Sequence, residues 1–188
     1  MFKYTTIESF LSKNECQEIL SFSLNNLNLK EATIGNPKKP INTDVRKSQV
    51  AFENYRIHFP KIIKNLENKF NKVVNIKGHE LDFSETHYQF TEYKTGDYYN
   101  WHTDSNENND NKFRYCSIVI QLSEDYTGGI LELVDEGEVI KFNSGIGNVF
   151  IFLSNKLHRV TQVESGVRYS LVGWFALKTI KNYEKTLL

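Results

Sequence analysis

From about residue 81 onward, the chain is a succession of short β-rich segments separated by polar or glycine-containing turns. The segments read HYQFTEY, YCSIVIQLS, GILELV, EVIKF, NVFIFL, HRVTQV and RYSLVGWFAL. Breaks such as Thr-Gly-Gly, Asp-Glu-Gly and Glu-Ser-Gly lie between several of them. Many short strands at this spacing are typical of an antiparallel barrel or jelly roll. The second half of the chain is therefore predicted to be an all-β core.

The first 80 or so residues are predicted to form a mixed, largely helical support region. Ser12 and Glu15 fit a capping box, and apolar residues follow at helical spacing at Cys16, Ile19, Leu20 and Leu24. A second amphipathic helix is expected after Pro60, with an apolar stripe of Ile62, Ile63, Leu66, Phe70 and Val73. Residues 30–47, with one glycine and two prolines, read as a long loop. The whole chain is then a single α+β domain.

Composition excludes several classes of protein. Lys+Arg and Asp+Glu are equal at 23 each, so no overall charge attracts the chain to nucleic acid or to anionic lipid. Cys16 and Cys116 are the two cysteines, which argues against a disulfide framework and a cysteine zinc site. The start, MFKYTTIESF, lacks a signal-peptide pattern, and no apolar run approaches the roughly 18 residues of a membrane span. The expectation is a soluble, cytoplasmic protein.

A histidine and an aspartate stand one residue apart in NWHTD. On a strand, His102 and Asp104 point to the same face with Cα atoms about 6.6 Å apart, so both can reach one metal ion. His158 is the best-placed third ligand, because it follows one buried strand and begins another. Two histidines and one carboxylate with open positions are typical of non-haem Fe(II) oxygenases. The alternatives are a chance pairing in a surface loop and a solvent-facing His158.

Arg168 lies in a strand whose alternation has two distinct faces. One face carries Arg168, Ser170, Val172 and Trp174, and the other carries Tyr169, Leu171 and Phe175. An inward-facing arginine is costly unless an anion meets it, and its planar fork suits a carboxylate. Ser170 can add a hydroxyl donor, whereas the alternative is an outward arginine paired with a surface glutamate. A turn at residues 164–166 is expected to fold this strand back beside the strand that begins at His158.

These residues and their surroundings resemble the 2-oxoglutarate and Fe(II)-dependent dioxygenases, and within them the prolyl 4-hydroxylase-type branch. His158 stands 54 residues after Asp104, and Arg168 ten residues after His158. The approach YKTGDYYNWH (residues 93–102), the turn and strand DYTGGILEL and the closing GNVFIFLSNKLHRVTQVESGVRYSLVGWF are similar to that branch. DVRKSQVAF and IESFLSKNECQEIL are similar to its N-terminal parts.

The resemblance implies a double-stranded β-helix, cupin-like jelly roll with Fe(II) held by His102, Asp104 and His158. It implies that 2-oxoglutarate chelates the iron while Arg168 holds its far carboxylate. O2 would then drive oxidative decarboxylation to succinate and CO2 with hydroxylation of an unactivated C–H bond, and ascorbate is a candidate accessory. These four residues are the expected catalytic set.

Further cosubstrate contacts are implied at positions around Arg168. Tyr93 is a candidate hydroxyl donor, and Trp174 a candidate floor of the pocket. Weaker candidates are Ser170, Leu131 and Gln121. For Tyr93, Tyr99 and Trp174 the alternative is an ordinary core aromatic. The remaining histidines are expected to be structural or on the surface: His58, His79 and His87.

The lead substrate by resemblance is peptidyl proline, and the runner-up is a free amino acid or small metabolite. The nucleic-acid demethylase branch usually has a second arginine where this chain has Trp174, which argues against a nucleic-acid substrate. The presence of Asp104 favours hydroxylation over halogenation.

Substrate choice is expected to lie in residues 34–47 and 105–114. A hypothesis of a different class is a non-catalytic β-helix binding or sensor module, which the complete set of site residues disfavours. Oligomeric state is not predicted.

Overall fold

The computed structural model describes residues 2–33, 44–84, 87–105 and 114–179. Within these ranges there are three helices, α1 (Lys13–Asn26), α2 (Tyr55–His58) and α3 (Pro60–Val73). The strands are β1 (Tyr4–Ile7), β2 (Lys30–Glu31), β3 (Arg46–Lys47), β4 (Gln49–Glu53), β5 (His79–Asp82), β6 (Tyr88–Lys94), β7 (Tyr98–His102), β8 (Cys116–Gln121), β9 (Tyr126–Gly128), β10 (Leu131–Asp135), β11 (Glu138–Lys141), β12 (Val149–Leu153), β13 (His158–Val160) and β14 (Val163–Thr179).

Local sequence signals determine where the two long helices begin. The Ser12 hydroxyl accepts a hydrogen bond from the Glu15 backbone N–H, and the Glu15 carboxylate accepts one from the Ser12 N–H, so the predicted capping box of α1 is confirmed. The predicted helix after residue 60 is also confirmed. Pro60 occupies its first turn, where a missing N–H costs no hydrogen bond. None of the helices in the described ranges is long and apolar enough to cross a membrane.

Two antiparallel sheets form the β core. In the large sheet the strands run β1-β12-β8-β14-β6-β4-β2, with β5 and β9 also paired to β14. In the small sheet the order is β11-β10-β13-β7-β3. Neighbours that are far apart in sequence, such as β12 beside β8 and β14 beside β6, are the mark of a jelly roll. The predicted double-stranded β-helix fold is confirmed.

Alternation along the large sheet gives it two apolar faces. One face packs on the helices through a cluster that includes Ile63, Leu66, Phe70, Ile118 and Leu171. The other packs on the small sheet through a second cluster, which includes Val119, Leu133, Phe150, Phe152 and Val163. The chain is therefore layered as helices, large sheet and small sheet, and the space between the sheets is where side chains from both can meet.

Residues 30–47 are not wholly a loop, as the sequence suggested. Two short strands lie at its ends: β2 pairs with β4 and β3 pairs with β7. Two-residue strands are too short to show a periodic pattern, so their pairing partners determine them. Residues 34–43, between these strands, lie outside the described residues.

The expected hairpin between the His158 and Arg168 strands is wrong. Strand β13 pairs with β7 and β10 in the small sheet, whereas the Arg168 part of β14 pairs with β6 and β8 in the large sheet. Residues 161–162 carry the chain from one sheet to the other. Gly166, expected in a turn, instead lies within β14 at a φ of +77° opposite Tyr126 of β9. His158 and Arg168 consequently face each other from opposite sheets.

We predict that Gly166→Ala destabilises the fold more than Gly137→Ala. Both glycines have positive φ, so both alanines bring backbone strain of about 1 kcal/mol. A Cβ on Gly166 would also overlap the backbone oxygen of Asp125, whereas one on Gly137 meets nothing within 4 Å. Urea unfolding should show a further loss of about 1 to 3 kcal/mol for Gly166→Ala. Equal losses in the two variants would contradict this close approach.

Candidate metal and cosubstrate site

A cavity of about 450 Å³, here called the site cavity, lies between the two sheets. The large sheet contributes walls from β4, β6, β8 and β14, and the small sheet from β3, β7, β10 and β13. Most of the residues singled out from the sequence line it: Tyr93, His102, Asp104, Leu131, His158, Arg168, Ser170 and Trp174. Gln121 does not line it.

The register of β7 against β13 brings two histidines together. His102 is paired directly with His158 across these strands, and Asp104 follows two residues after β7 ends. The Nε2 atom of His102 lies 3.7 Å from one carboxylate oxygen of Asp104, and that of His158 lies 3.4 Å from the other. One ligand atom from each of the three residues can be chosen so that all lie within 4.8 Å of one another. This cluster can hold one ion.

Hydrogen bonds at the Nδ1 atoms of the two histidines select the imidazole tautomer that a metal ligand needs. Nδ1 of His102 lies 2.7 Å from the carbonyl oxygen of Asn100, and Nδ1 of His158 lies 2.9 Å from that of Lys156. A carbonyl oxygen only accepts, so each Nδ1 carries the proton and each Nε2 keeps a lone pair directed at the cluster. Donor chemistry, spacing and tautomer therefore fit Fe(II) bound by two imidazoles and one carboxylate.

Burial and mutual charge set the protonation of the cluster. Burial, and after it the neighbouring His158, lower the pKa of His102 to about 4, so this imidazole is neutral at pH 7. Burial alone would raise the pKa of Asp104, but His158, His102 and the Ser117 hydroxyl hold it well below its usual range. Burial opposes protonation of His158, yet the attraction of Asp104 raises its pKa. The site therefore presents an ionised carboxylate to a cation.

The sequence did not indicate the two serines that hold Asp104. The Ser117 hydroxyl donates to Asp104 Oδ2 at 2.7 Å, and Ser154 Oγ lies 2.9 Å from Ser117 Oγ. The backbone oxygen of Ser154 also accepts from the N–H of Asp104 at 2.9 Å. Both serines are fully buried. Serines in buried strands have no distinctive sequence signal, and only the pairing of β8 with β12 brings these two together.

Arg168 lies in the large sheet, with 2% of its surface exposed. Its Nη1 donates to Ser170 Oγ at 3.2 Å, and its guanidinium lies 5.6 Å from the centre of the Tyr93 ring. No carboxylate of the described residues forms an ion pair with it. A buried guanidinium without an anion is costly, so the arrangement suits a ligand carboxylate. The inward orientation expected from the alternation of β14 is what the structure shows.

Of the other residues expected to contact the cosubstrate, Tyr93 and Trp174 line the cavity and Gln121 does not. Tyr93 is 3% exposed and pairs with Arg168 across β6 and β14. Trp174 lines the cavity, and its buried indole N–H has no hydrogen-bond partner among the described residues. Gln121 is buried outside the lining, where its amide nitrogen donates to the carbonyl oxygens of Ser123 and Tyr169. Tyr93 and Trp174 therefore face the cavity, whereas Gln121 does not.

Three lining residues were not identified from the sequence as parts of the site. Arg46 and Arg114 place guanidinium groups over the rings of Tyr99 and Trp174, at 4.5 and 4.1 Å from the ring centres. The Tyr99 ring also stacks on His102 at 3.5 Å between centres. Tyr99 was weighed mainly as a core aromatic, but it lines the cavity beside a candidate ligand. Regular alternation along β7 would place Tyr99 and His102 on opposite faces, and the register shift between β7 and β13 is what brings them together.

We predict that Ser117→Ala weakens metal binding without unfolding the protein. Losing the hydrogen bond to Asp104 frees the carboxylate to rotate, and losses of this kind lower metal affinity by about tenfold to a hundredfold. Co(II) titration followed by visible absorption measures the affinity directly. Ser117→Thr keeps the hydroxyl and should retain the metal affinity. Ser165→Ala, at an exposed position, is the control and should also leave the affinity unchanged. An unchanged affinity in Ser117→Ala would remove Ser117 from this role.

Comparison with known proteins shows which family this part of the chain is similar to. Residues 88–176 match the 2OG-Fe(II) oxygenase superfamily. A PKHD-type hydroxylase from Synechococcus sp. strain CC9605 is 42% identical over 82 residues, which is 42% of this chain and 36% of that protein. The chain thus matches little more than a third of this relative's length.

Solved structures share the fold over nearly the whole chain. A prolyl-4-hydroxylase from Pseudomonas putida superimposes with a TM-score of 0.68 at 20% identity, covering 93% of this chain and 92% of that one. A Trichoplax adhaerens prolyl hydroxylase, in complex with a hypoxia inducible factor oxygen degradation domain peptide fragment, gives a TM-score of 0.72 at 17% identity, covering 93% and 83%. The segment that matches the 2OG-Fe(II) oxygenase superfamily contains the His-Asp-His cluster, and the fold is similar to that of prolyl hydroxylases.

Proposed function

We propose that the protein is a 2-oxoglutarate- and Fe(II)-dependent dioxygenase that hydroxylates an unactivated C–H bond. One observation carries the proposal: the His102–Asp104–His158 cluster and the buried Arg168, which has no carboxylate partner among the described residues, line the same cavity from opposite sheets. When bound, Fe(II) supplies the activation of O2 that side chains alone cannot provide. Ascorbate stays a candidate accessory for which no residue is assigned.

The proposed reaction balances without a further reductant. One oxygen atom of O2 enters the substrate as the hydroxyl, and the other enters the succinate that forms when 2-oxoglutarate loses CO2. The substrate loses one hydrogen atom from carbon and regains it in the hydroxyl group. Two electrons come from the C–H bond and two from the decarboxylated oxo acid, which together account for the four electrons that reduce O2.

The residues of the chain bind and orient the reactants. The side chains of His102, Asp104 and His158 would hold the ion, and a site with three protein ligands leaves room for a cosubstrate to bind the same ion. Arg168 binds the far carboxylate of 2-oxoglutarate, and Ser170, already a partner of its guanidinium, adds a hydroxyl. A neutral His102 and an ionised Asp104 suit metal binding near pH 7.

Peptidyl proline is the lead substrate, and a free amino acid or small metabolite is the alternative. The likeness to prolyl hydroxylases, one of them solved with a peptide fragment, supports the lead. Of the segments expected to choose the substrate, residues 34–43 and 106–113 lie outside the described residues. Their described neighbours Arg46 and Arg114 line the cavity. A non-catalytic sensor module differs from this proposal in a single respect, which is turnover.

We predict that Asp104→Ala and His158→Ala abolish Fe(II)-dependent formation of succinate from 2-oxoglutarate. Each variant removes one of three candidate ligands from a buried site that has no described substitute. The activity is measured as succinate release, with proline-containing peptides, free amino acids and oligonucleotides screened as substrates. His79→Ala, an exposed histidine, is the matched control and should keep full activity. Wild-type protein that binds Fe(II) and 2-oxoglutarate but never turns over would favour the sensor module.

Arg168→Ala is expected to raise the 2-oxoglutarate requirement more than it lowers the maximal rate. The variant removes a charge-assisted pair to the far carboxylate, worth about 1.5 to 3 kcal/mol, or roughly a tenfold to hundredfold rise in KM. Arg168→Lys should restore part of the affinity for 2-oxoglutarate, because lysine returns the positive charge without the planar guanidinium. A KM unchanged from wild type would remove Arg168 from its proposed role.

A further inference from the structure

Arg46 is a second buried arginine of the site cavity, and the cosubstrate role proposed for Arg168 does not involve it. It is 7% exposed, lies on β3 in the small sheet and lines the cavity. Its Nε donates to Ser48 Oγ at 2.8 Å, and its guanidinium stacks 4.5 Å above the Tyr99 ring. Within the described ranges, no carboxylate pairs with it. The Nη groups therefore have no anionic partner in the part of the chain that the structure describes.

The contacts around Arg46 hold its guanidinium in one orientation. Ser48 anchors the Nε edge, and Tyr99 supports the flat face, so the remaining N–H groups stay directed at the cavity. Tyr99 in turn stacks on His102, which places this arginine one aromatic ring away from the candidate metal ligand. A ligand group bound at Arg46 would therefore lie beside the metal.

Charge in the cavity points to an anionic ligand. Its described lining contains three arginines and one carboxylate, Asp104, and so carries a net charge of plus two. Bound Fe(II) would add two positive charges and bound 2-oxoglutarate two negative charges, so the net charge of the cavity would stay at plus two. Arg168 is assigned to the cosubstrate, and none of the described residues of the lining compensates Arg46 and Arg114. Both arginines line the cavity together with Tyr99.

We propose that Arg46, with Arg114 in the lining of the same cavity, binds a carboxylate of the primary substrate, so that the hydroxylated compound is an acid. This inference rests on the proposed function and refines its substrate class. Two sources supply such a group: the free carboxylate of an amino acid, or an acidic residue next to the modified position of a peptide. A planar fork with free N–H groups suits both. Val50, Phe52 and Val172 add an apolar wall to the same cavity for the rest of the substrate.

The test compares probes that differ only in the carboxylate. One pair is L-proline and L-prolinamide; the other is N-acetyl-aspartyl-prolinamide and N-acetyl-asparaginyl-prolinamide. Binding to the metal-free protein is followed by NMR at the Nε–H of Arg46, and turnover by succinate formation with Fe(II) and 2-oxoglutarate. In at least one pair the acid should bind and react about tenfold to a hundredfold better than its amide, and the pair that responds identifies the source.

Variants separate Arg46 from the cosubstrate site and from general charge. Arg46→Gln should abolish the preference for the acid, and Arg46→Lys should keep a small part of it. Lys47→Gln removes the next positive charge, an exposed lysine paired with Asp97, and should leave the preference intact. Equal binding of acid and amide in both pairs, absence of binding by either acid, or a rise in the 2-oxoglutarate KM of Arg46→Gln in place of a lost acid preference would each overturn the proposal.

Failure of the proposed function has a different signature. If no probe stimulates succinate formation, the dioxygenase activity is in doubt, while the NMR titration still decides whether a carboxylate binds at Arg46. If succinate forms without any preference for acids, the dioxygenase stands and the acidic substrate is wrong.

Discussion

The pairing of β7 with β13 is the constraint on which the candidate site depends. It sets His102 opposite His158, although 56 residues separate them in the chain. Because side chains alternate across a strand, a slip of one residue would turn one imidazole away from the cavity. The turn that carries Asp104 is fixed to the same place, since the N–H groups of Asp104 and Ser105 both donate to the Ser154 oxygen. Backbone geometry thus positions the three candidate ligands without any contribution from an ion.

The second constraint is electrostatic. Arg168 and Arg46 are nearly excluded from solvent, and neither has a carboxylate partner among the described residues. Burial of such groups destabilises the empty protein, and anionic ligands relieve that cost when they bind. The two arginines line the cavity from opposite sheets, so anionic groups can be bound at both walls. Asp104 is the single described carboxylate in the lining, and the Ser117 hydroxyl and the two histidines keep it ionised.

Those parts of the structure that have strong local patterns were predictable from the sequence. The capping box of α1, the proline start of α3 and the alternation of β14 each depend on a few neighbouring residues, and each was found as expected. That alternation placed Arg168 on one face with Ser170 and Trp174 but left open whether the face was inward, and the structure shows it lining the cavity. Resemblance to a known family supplied what alternation could not, namely the link between residues as distant as His102 and His158.

What could not be predicted depends on tertiary pairing. Arg46 lies in a two-residue strand whose only signal is its partner β7, and Ser117 matters because β12 places Ser154 beside it. The mistaken hairpin at residues 164–166 has the same origin. Glycine there fits a turn and a left-handed residue within a strand equally well, and only the assembled sheets decide between them.

The central claim is that one cavity holds iron at His102, Asp104 and His158 and 2-oxoglutarate between that iron and Arg168. Anaerobic titration of Fe(II) and 2-oxoglutarate, followed by visible absorption, tests it most directly, because an oxo acid chelated to Fe(II) gives a charge-transfer band. The account predicts a band that needs both components, is lost in His158→Ala and requires more 2-oxoglutarate in Arg168→Ala. No band in the wild-type protein, or an unaltered band in His158→Ala, would contradict it.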